Sequence, residues 1–148
     1  MPSTCTSLHY HLVFSTKNRE PFITTAWRTR LQEYLGGMIR RVSGVPLAIG
    51  GVADHVHLLI GLKASHCLAD VLRDLKKDST HWVKDAHGLK LFAWQEGYAG
   101  FTVSPTAVES VRSYVLNQEE HHRHKSFREE LIELLTKAGI EFDEKYLD

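Results

Sequence analysis

Cysteine is nearly missing from this chain of 148 residues: there are two, Cys5 and Cys67, with no Cys-x-x-Cys spacing. A disulfide framework and a cysteine-held zinc site are therefore not implied, and a reduced cytoplasm is the expected compartment. No apolar run approaches the roughly 18 residues that a membrane helix requires. Met1 to Thr6 lack the basic stretch followed by an apolar core that marks a signal peptide, so neither export nor a membrane partner is expected. Net charge is absent too, because eighteen basic residues balance eighteen acidic ones. That balance argues against indiscriminate polyanion binding and leaves any nucleic-acid contact to local patches. Gly/Ser-rich linkers, internal repeats and low-complexity tracts do not occur. What remains is 43% hydrophobic residues, enough for the core of one domain.

Apolar periodicity divides the chain into elements. Leu8, Tyr10, Leu12 and Phe14 alternate with more polar neighbours, the period of a half-buried strand over Ser7 to Thr16. Trp27, Leu31, Tyr34, Leu35, Met38, Ile39 and Val42 recur at helical spacing after a cap at Thr24 or Thr25, until Gly44 and Pro46. Strands over Val45 to Val52 and His55 to Leu62 flank the turn Ala53-Asp54 and form a hairpin. A second helix runs from a cap at Ser65 to Gly88, and a fourth strand is expected over Leu89 to Trp94, followed by a loop from Gln95 to Phe101. The order strand, helix, strand, strand, helix, strand predicts an α+β, ferredoxin-like split βαβ sandwich with an antiparallel sheet. Both helices would lie on one face of that sheet, leaving the other open. Ser104-Pro105 opens an added third helix, and a last amphipathic helix runs from about Ser126 to Ala138, with the tail after Gly139 packing back.

The chemistry concentrates in Asp54-His55-Val56-His57-Leu58-Leu59-Ile60. Alternation puts His55 and His57 on one face of their strand and Val56, Leu58 and Ile60 on the other. Two imidazoles side by side supply two ligands to a divalent metal and leave positions open for substrate. A rival pair, His9-Tyr10-His11, lies in the first strand, a central neighbour in this topology, and His11 is assigned a supporting role behind the ligands. Asp54 can orient a ligand histidine. On the third helix Tyr114 and Gln118 stand one turn apart, with Gln118 at the edge of the inward arc. His121 is a substitute third ligand, more so than His122. The combination gives three metal ligands, His55, His57 and Gln118, with a phenol beside them. A metal can coordinate a non-bridging phosphate oxygen while Tyr114 attacks in line, leaving a phosphotyrosyl-DNA linkage.

These residues carry a resemblance to a known family. The His55-Val56-His57 segment, Tyr114-x-x-x-Gln118 on a later helix, the opening Tyr10-His11-Leu12-Val13-Phe14-Ser15-Thr16-Lys17 and the stretch from Trp94 to Val103 resemble the single-tyrosine HUH transposases of bacterial insertion sequences, including the REP-associated tyrosine transposases. The likeness covers about residues 8–122 of a single catalytic domain spanning 1–148, with 123–148 as a helical tail. It implies a homodimer, in which the tyrosine helix is often donated to the partner, and dependence on Mg²⁺ or Mn²⁺. It also implies single-stranded DNA folded as imperfect hairpins and a 5′-phosphotyrosine intermediate followed by strand transfer. Lys17, Arg73, Lys76 and Lys77 are the candidate phosphate contacts, and Tyr98 and Phe101 can stack on unpaired bases. Two other functions share these residues: a non-catalytic single-stranded nucleic-acid binding module, and a metal-dependent phosphodiesterase whose nucleophile is water.

Overall fold

The computed structural model describes residues 3–147. Four antiparallel strands, β1 (Leu8–Ser15), β2 (Val45–Gly51), β3 (His55–Leu62) and β4 (Ala99–Val103), form one sheet in the order β2-β3-β1-β4. This is the expected ferredoxin-like arrangement, with β1 and β3 in the centre and the β2-β3 hairpin at one edge. Register sets Leu12 opposite Leu58 and Ser15 opposite His55.

Alternation along the central strands sends Leu12, Phe14, Val56, Leu58, Ile60 and Leu62 to one face. There they meet α1 (Arg28–Arg41) through Leu31, Leu35 and Ile39, and α2 (Leu68–His87) through Leu72, Leu75 and Val83. Burying each such side chain is worth about 1.5–3 kcal/mol, so this layer holds the strands in register. The caps differ from expectation. Trp27 and Cys67 occupy the positions before α1 and α2, with no side-chain capping bond, so neither Thr24, Thr25 nor Ser65 caps a helix. Gly88 ends α2 in the left-handed conformation, at φ 65°.

The fourth strand is corrected. Leu89 to Trp94 forms no strand beyond a single bridge between Trp94 and Thr16, and Ala99–Val103, expected as loop and its exit, pairs with β1 instead. The reason is aromatic bulk. Phe92 and Trp94 both turn into the core, their rings 5.0 Å apart and Trp94 edge-on to Phe14 at 4.7 Å. They plug the end of the helix-packed layer, and alternation is satisfied by Phe101 and Val103 on one side and Gly100 against Leu12 on the other.

The second face is not bare. A 3₁₀ turn at Pro105–Ala107 leads into α3 (Val108–Leu116), whose Val115 joins Ala48, Leu59 and Val103 in a small second cluster. The end of α3 lies on β2 so closely that a Cβ at Gly50 would stand 1.9 Å from the Val115 carbonyl oxygen. Only glycine admits that approach. After a break at Asn117 come α4 (Gln118–His121) and α5 (Phe127–Lys137), the latter opened by a complete capping box between Ser126 and Glu129.

Candidate active site

Strand β3 presents His55 and His57 to this second face, and both are fully buried. Each ring is held from behind. Asp54 Oδ1 accepts from His55 Nδ1 at 2.8 Å, and His57 Nδ1 lies 2.8 Å from His11 Nε2, the two rings stacked with centroids 5.0 Å apart. Their Nε2 atoms consequently point into one common space. His11 and Asp54 stand where a metal-binding imidazole has its supporting partner.

The α3-α4 break swings two side chains toward that space. Gln118 is buried, its Oε1 3.4 Å from His55 Nε2 and 3.0 Å from His122 Nε2, and its amide nitrogen donates to the Tyr114 carbonyl at 3.2 Å. The Tyr114 ring meets His57 edge-on at 5.7 Å. All four expected residues are brought together within one chain.

Sequence reading missed Glu130, the group at the centre. Its Oε1 lies 2.9 Å from His57 Nε2, 3.2 Å from His122 Nε2 and 3.5 Å from His55 Nε2, while its Oε2 accepts the Tyr114 hydroxyl. The signal was there: Glu130 is one turn from Phe127 and next to Leu131, so it is an acid within the inward stripe of an amphipathic helix, which demands a buried partner. His122, not His121, joins the donor cluster; His121 touches only the other Glu130 oxygen, at 3.2 Å.

Burial and proximity set the charges. Burial pushes the His57 imidazole down to about 4 against the pull of Glu130, and burial with His57 nearby takes His11 to about 3. His55 shifts the other way: burial opposes its charge, but Asp54 and Glu130 overcome it and raise its pKa. Burial would raise Glu130, yet hydrogen bonds from His122, His55 and His57 hold it well below the usual carboxylate range. Burial, reinforced by Glu130, raises the Tyr114 phenol above its ordinary value.

His55, His57, His122 and Glu130 offer ligand atoms that all lie within 4.8 Å of one another, and the cluster can hold a metal. The 2.9–3.5 Å spacings from the Glu130 oxygen to the three nitrogens suit the edges of a coordination shell of roughly 2.0–2.2 Å radius. Gln118 Oε1 borders the same space. For His57 Nε2 to act as ligand, its proton must sit on Nδ1, where His11 Nε2 accepts it. The donor set fits a divalent ion.

The basic candidates are more scattered. Arg73 is exposed and bridged to Asp70 and Asp74, and Lys77 is exposed on α2, across the sheet from the histidines. Lys76 donates to the Gln95 and Gly97 carbonyls at 2.6 and 2.7 Å and so fastens the loop before β4. Lys17 is exposed two residues beyond Ser15, the register partner of His55.

Residues 4–118 match the family model described as "Transposase IS200 like", and the chain belongs to that family of transposases. Among solved structures it is similar to a Deinococcus radiodurans R1 protein provisionally named a transposase, at 26% identity and a TM-score of 0.66, over 80% of this chain and 95% of that one. It also shares the fold of a REP-associated tyrosine transposase bound to a REP hairpin, at 20% identity and a TM-score of 0.55, over 78% of this chain and 66% of that one. No curated protein matches it in sequence. No helix among the described residues is long and apolar enough to cross a membrane.

Proposed function

We propose that this transposase cuts and rejoins single-stranded DNA at hairpin-flanked sites, with Tyr114 as nucleophile and a divalent ion held by His55 and His57 together with Gln118, His122 and Glu130. The observation that carries the reading is the meeting of the Tyr114 hydroxyl and the histidine Nε2 atoms at one carboxylate, Glu130. The bound ion would neutralise charge developing on the phosphate. Tyr114 forms the new P–O bond as the bond from phosphorus to the 3′ oxygen breaks; that oxygen takes a proton from water, and a 5′-phosphotyrosine with a free 3′ hydroxyl results. Glu130 is the acceptor already aligned on the phenol proton. Its three histidine contacts keep Glu130 ionised, and the phenol stays protonated before attack.

Three imidazoles favour Mn²⁺ over Mg²⁺, whose preference is for oxygen. Tyr114 stands at the histidines of its own chain, so one chain carries every group of the proposed site. Lys17 is the basic side chain best placed for backbone contact, while Arg73 and Lys77 would serve only a strand that crosses the sheet edge. Phe127, stacked on His55 at 4.2 Å, closes the site outward, and a phosphate enters as this side chain gives way while Glu130 stays in place.

The test offers labelled single-stranded DNA from both flanks of the gene to wild type and Tyr114→Phe, with Mn²⁺ or EDTA. A denaturation-resistant, metal-dependent protein-DNA band is expected, and Tyr114→Phe should abolish it. Cleavage without a covalent band would make water the nucleophile; binding without cleavage would leave a binding module.

A further inference from the structure

A cavity of about 420 Å³ lies beside the site, and nothing in the chemistry above uses it. Its floor is the second face of the sheet at Val13 and Ala99, one wall is α5 at Leu131 and Leu135, and Tyr98 and Tyr146 flank its mouth. Both tyrosines are open to solvent, at 42% and 77% exposed. The volume falls within the roughly 300–1,000 Å³ of sites for single small ligands, which includes one nucleotide.

Position and lining narrow the occupant. The cavity and the histidine site share Phe127, whose ring lines the first and stacks on His55 in the second. Ser15, which also lines it, is the register partner of His55. A group in the cavity is thus one side chain away from a phosphate bound at the histidines. The rim carries two carboxamides, Asn18 and Gln95, and Gln95 Oε1 accepts the Asn18 backbone N–H at 3.4 Å. Arg19 is also there, but its guanidinium is engaged 4.9 Å over the Phe127 ring and donates to the Leu147 carbonyl, and Glu96 adds a negative charge. Apolar floor, aromatic mouth, carboxamide rim and an acid together suit the faces and edges of a base and not a phosphate.

We infer that this cavity receives the base of the unpaired nucleotide next to the cleaved phosphodiester. The assignment rests on the single-stranded DNA reading above, and it gives Tyr98 a role as a stacking platform. It makes the cavity a place where the cleavage position is read.

The test is saturation-transfer NMR on the full chain with each of the four deoxynucleoside 5′-monophosphates and with phenyl phosphate as control. Base protons should saturate with wild type, more for one base than for the others. Tyr98→Ala and the cavity-filling Leu131→Trp should each lower that signal at least fivefold, and Tyr114→Phe should keep it. Tyr98 is exposed, so its variant remains informative if Leu131→Trp does not fold. Absence of base saturation, insensitivity to Tyr98→Ala, or equal binding of phenyl phosphate overturns the proposal. The covalent-band assay keeps the two readings apart. A Tyr114-dependent band without base binding defeats the cavity alone, whereas base binding without any band keeps the cavity as a base site, defeats the nuclease and with it the cavity's place beside a cleaved phosphodiester.

Discussion

One sheet serves two purposes through its two faces, and β3 shows both within neighbouring residues. Leu58 is buried among leucines and isoleucines of α1 and α2; His57 is equally buried, but among His11, Tyr114 and Glu130. On the first face any well-shaped apolar side chain would do, because the force is non-directional. On the second, beside the small apolar cluster of Ala48, Leu59, Val103 and Val115, each buried polar group needs a particular partner at a particular atom, because leaving it unpaired costs about 1–3 kcal/mol. The first face therefore holds the fold and the second holds the candidate site, and substitutions should separate them.

The largest effect on stability should come from Leu58→Ala, which opens a cavity in the helix-packed layer and costs about 2–5 kcal/mol. Chemical denaturation should show the loss, while metal titration at low temperature still gives one ion bound per chain. His57→Ala should reverse the pattern. Its midpoint without metal should fall less than that of Leu58→Ala, and the upward shift that Mn²⁺ gives wild type should vanish. If both variants lose metal binding alike, the two faces are not separable.

Acid should be the next strongest perturbation, and it acts on the second face. In the metal-free protein, burial keeps His57 and His11 neutral, with pKa values of about 4 and about 3, against about 6.5 unfolded. Below pH 6.5 the unfolded chain binds protons that the folded chain refuses, so stability present at neutral pH is lost as pH falls toward those values. Each histidine contributes up to about 2 kcal/mol of this loss by pH 5. His55 has the opposite sign: its raised pKa adds stability that is fully present below pH 6.5 and fades as pH rises through the folded value. Thermal melts in EDTA from pH 7.5 to 4.5 should decline steadily below 6.5. A flat profile would mean that the two rings are not buried as neutral groups.

Gly50→Ala tests how the faces are joined. A methyl group there collides with the Val115 carbonyl, so the end of α3 must lift from β2, at about 1–3 kcal/mol. Tyr114 and Gln118 lie on either side of that contact. Mn²⁺ affinity and covalent-band formation should therefore fall together, with far-UV circular dichroism unchanged.

How much of this was legible follows the same division. Period-two alternation in Leu12, Phe14, Val56, Leu58 and Ile60 and helical spacing from Trp27 to Val42 placed the apolar face and the sheet order, since burial leaves a repeat in the chain. It also put His55 and His57 on the far side of β3. The fourth strand misled because Phe92 and Trp94 have strand-like composition yet serve as core plugs, while Ala99 to Val103 carries two small residues and little apolar signal. Glu130 was missed for a different reason: its inward place on α5 was legible, but the groups it pairs with were not. Its partners lie on β3, on α3 and at His121 and His122, and pairing between separate elements has no period. The covering of the second face by α5 was hidden with it.

The smallest expected effect concerns that covering. Ser126 opens α5 by accepting from the Glu129 backbone N–H at 3.2 Å, while the Glu129 side chain returns to the Ser126 N–H at 3.4 Å. Removing the hydroxyl in Ser126→Ala costs about 1 kcal/mol. Neither residue touches a histidine of the cluster, so the loss falls on the helix that carries Glu130 and Phe127 and not on the ligands themselves. Since about 1.4 kcal/mol is tenfold in an equilibrium, the open population of α5 should rise about fivefold. Hydrogen exchange of α5 amides should quicken by that factor and Mn²⁺ should dissociate correspondingly faster, while amides of α1 and β3 exchange at the wild-type rate. Equal quickening everywhere would show that α5 opens only when the whole sheet does, and that the second face is as much part of the fold as the first.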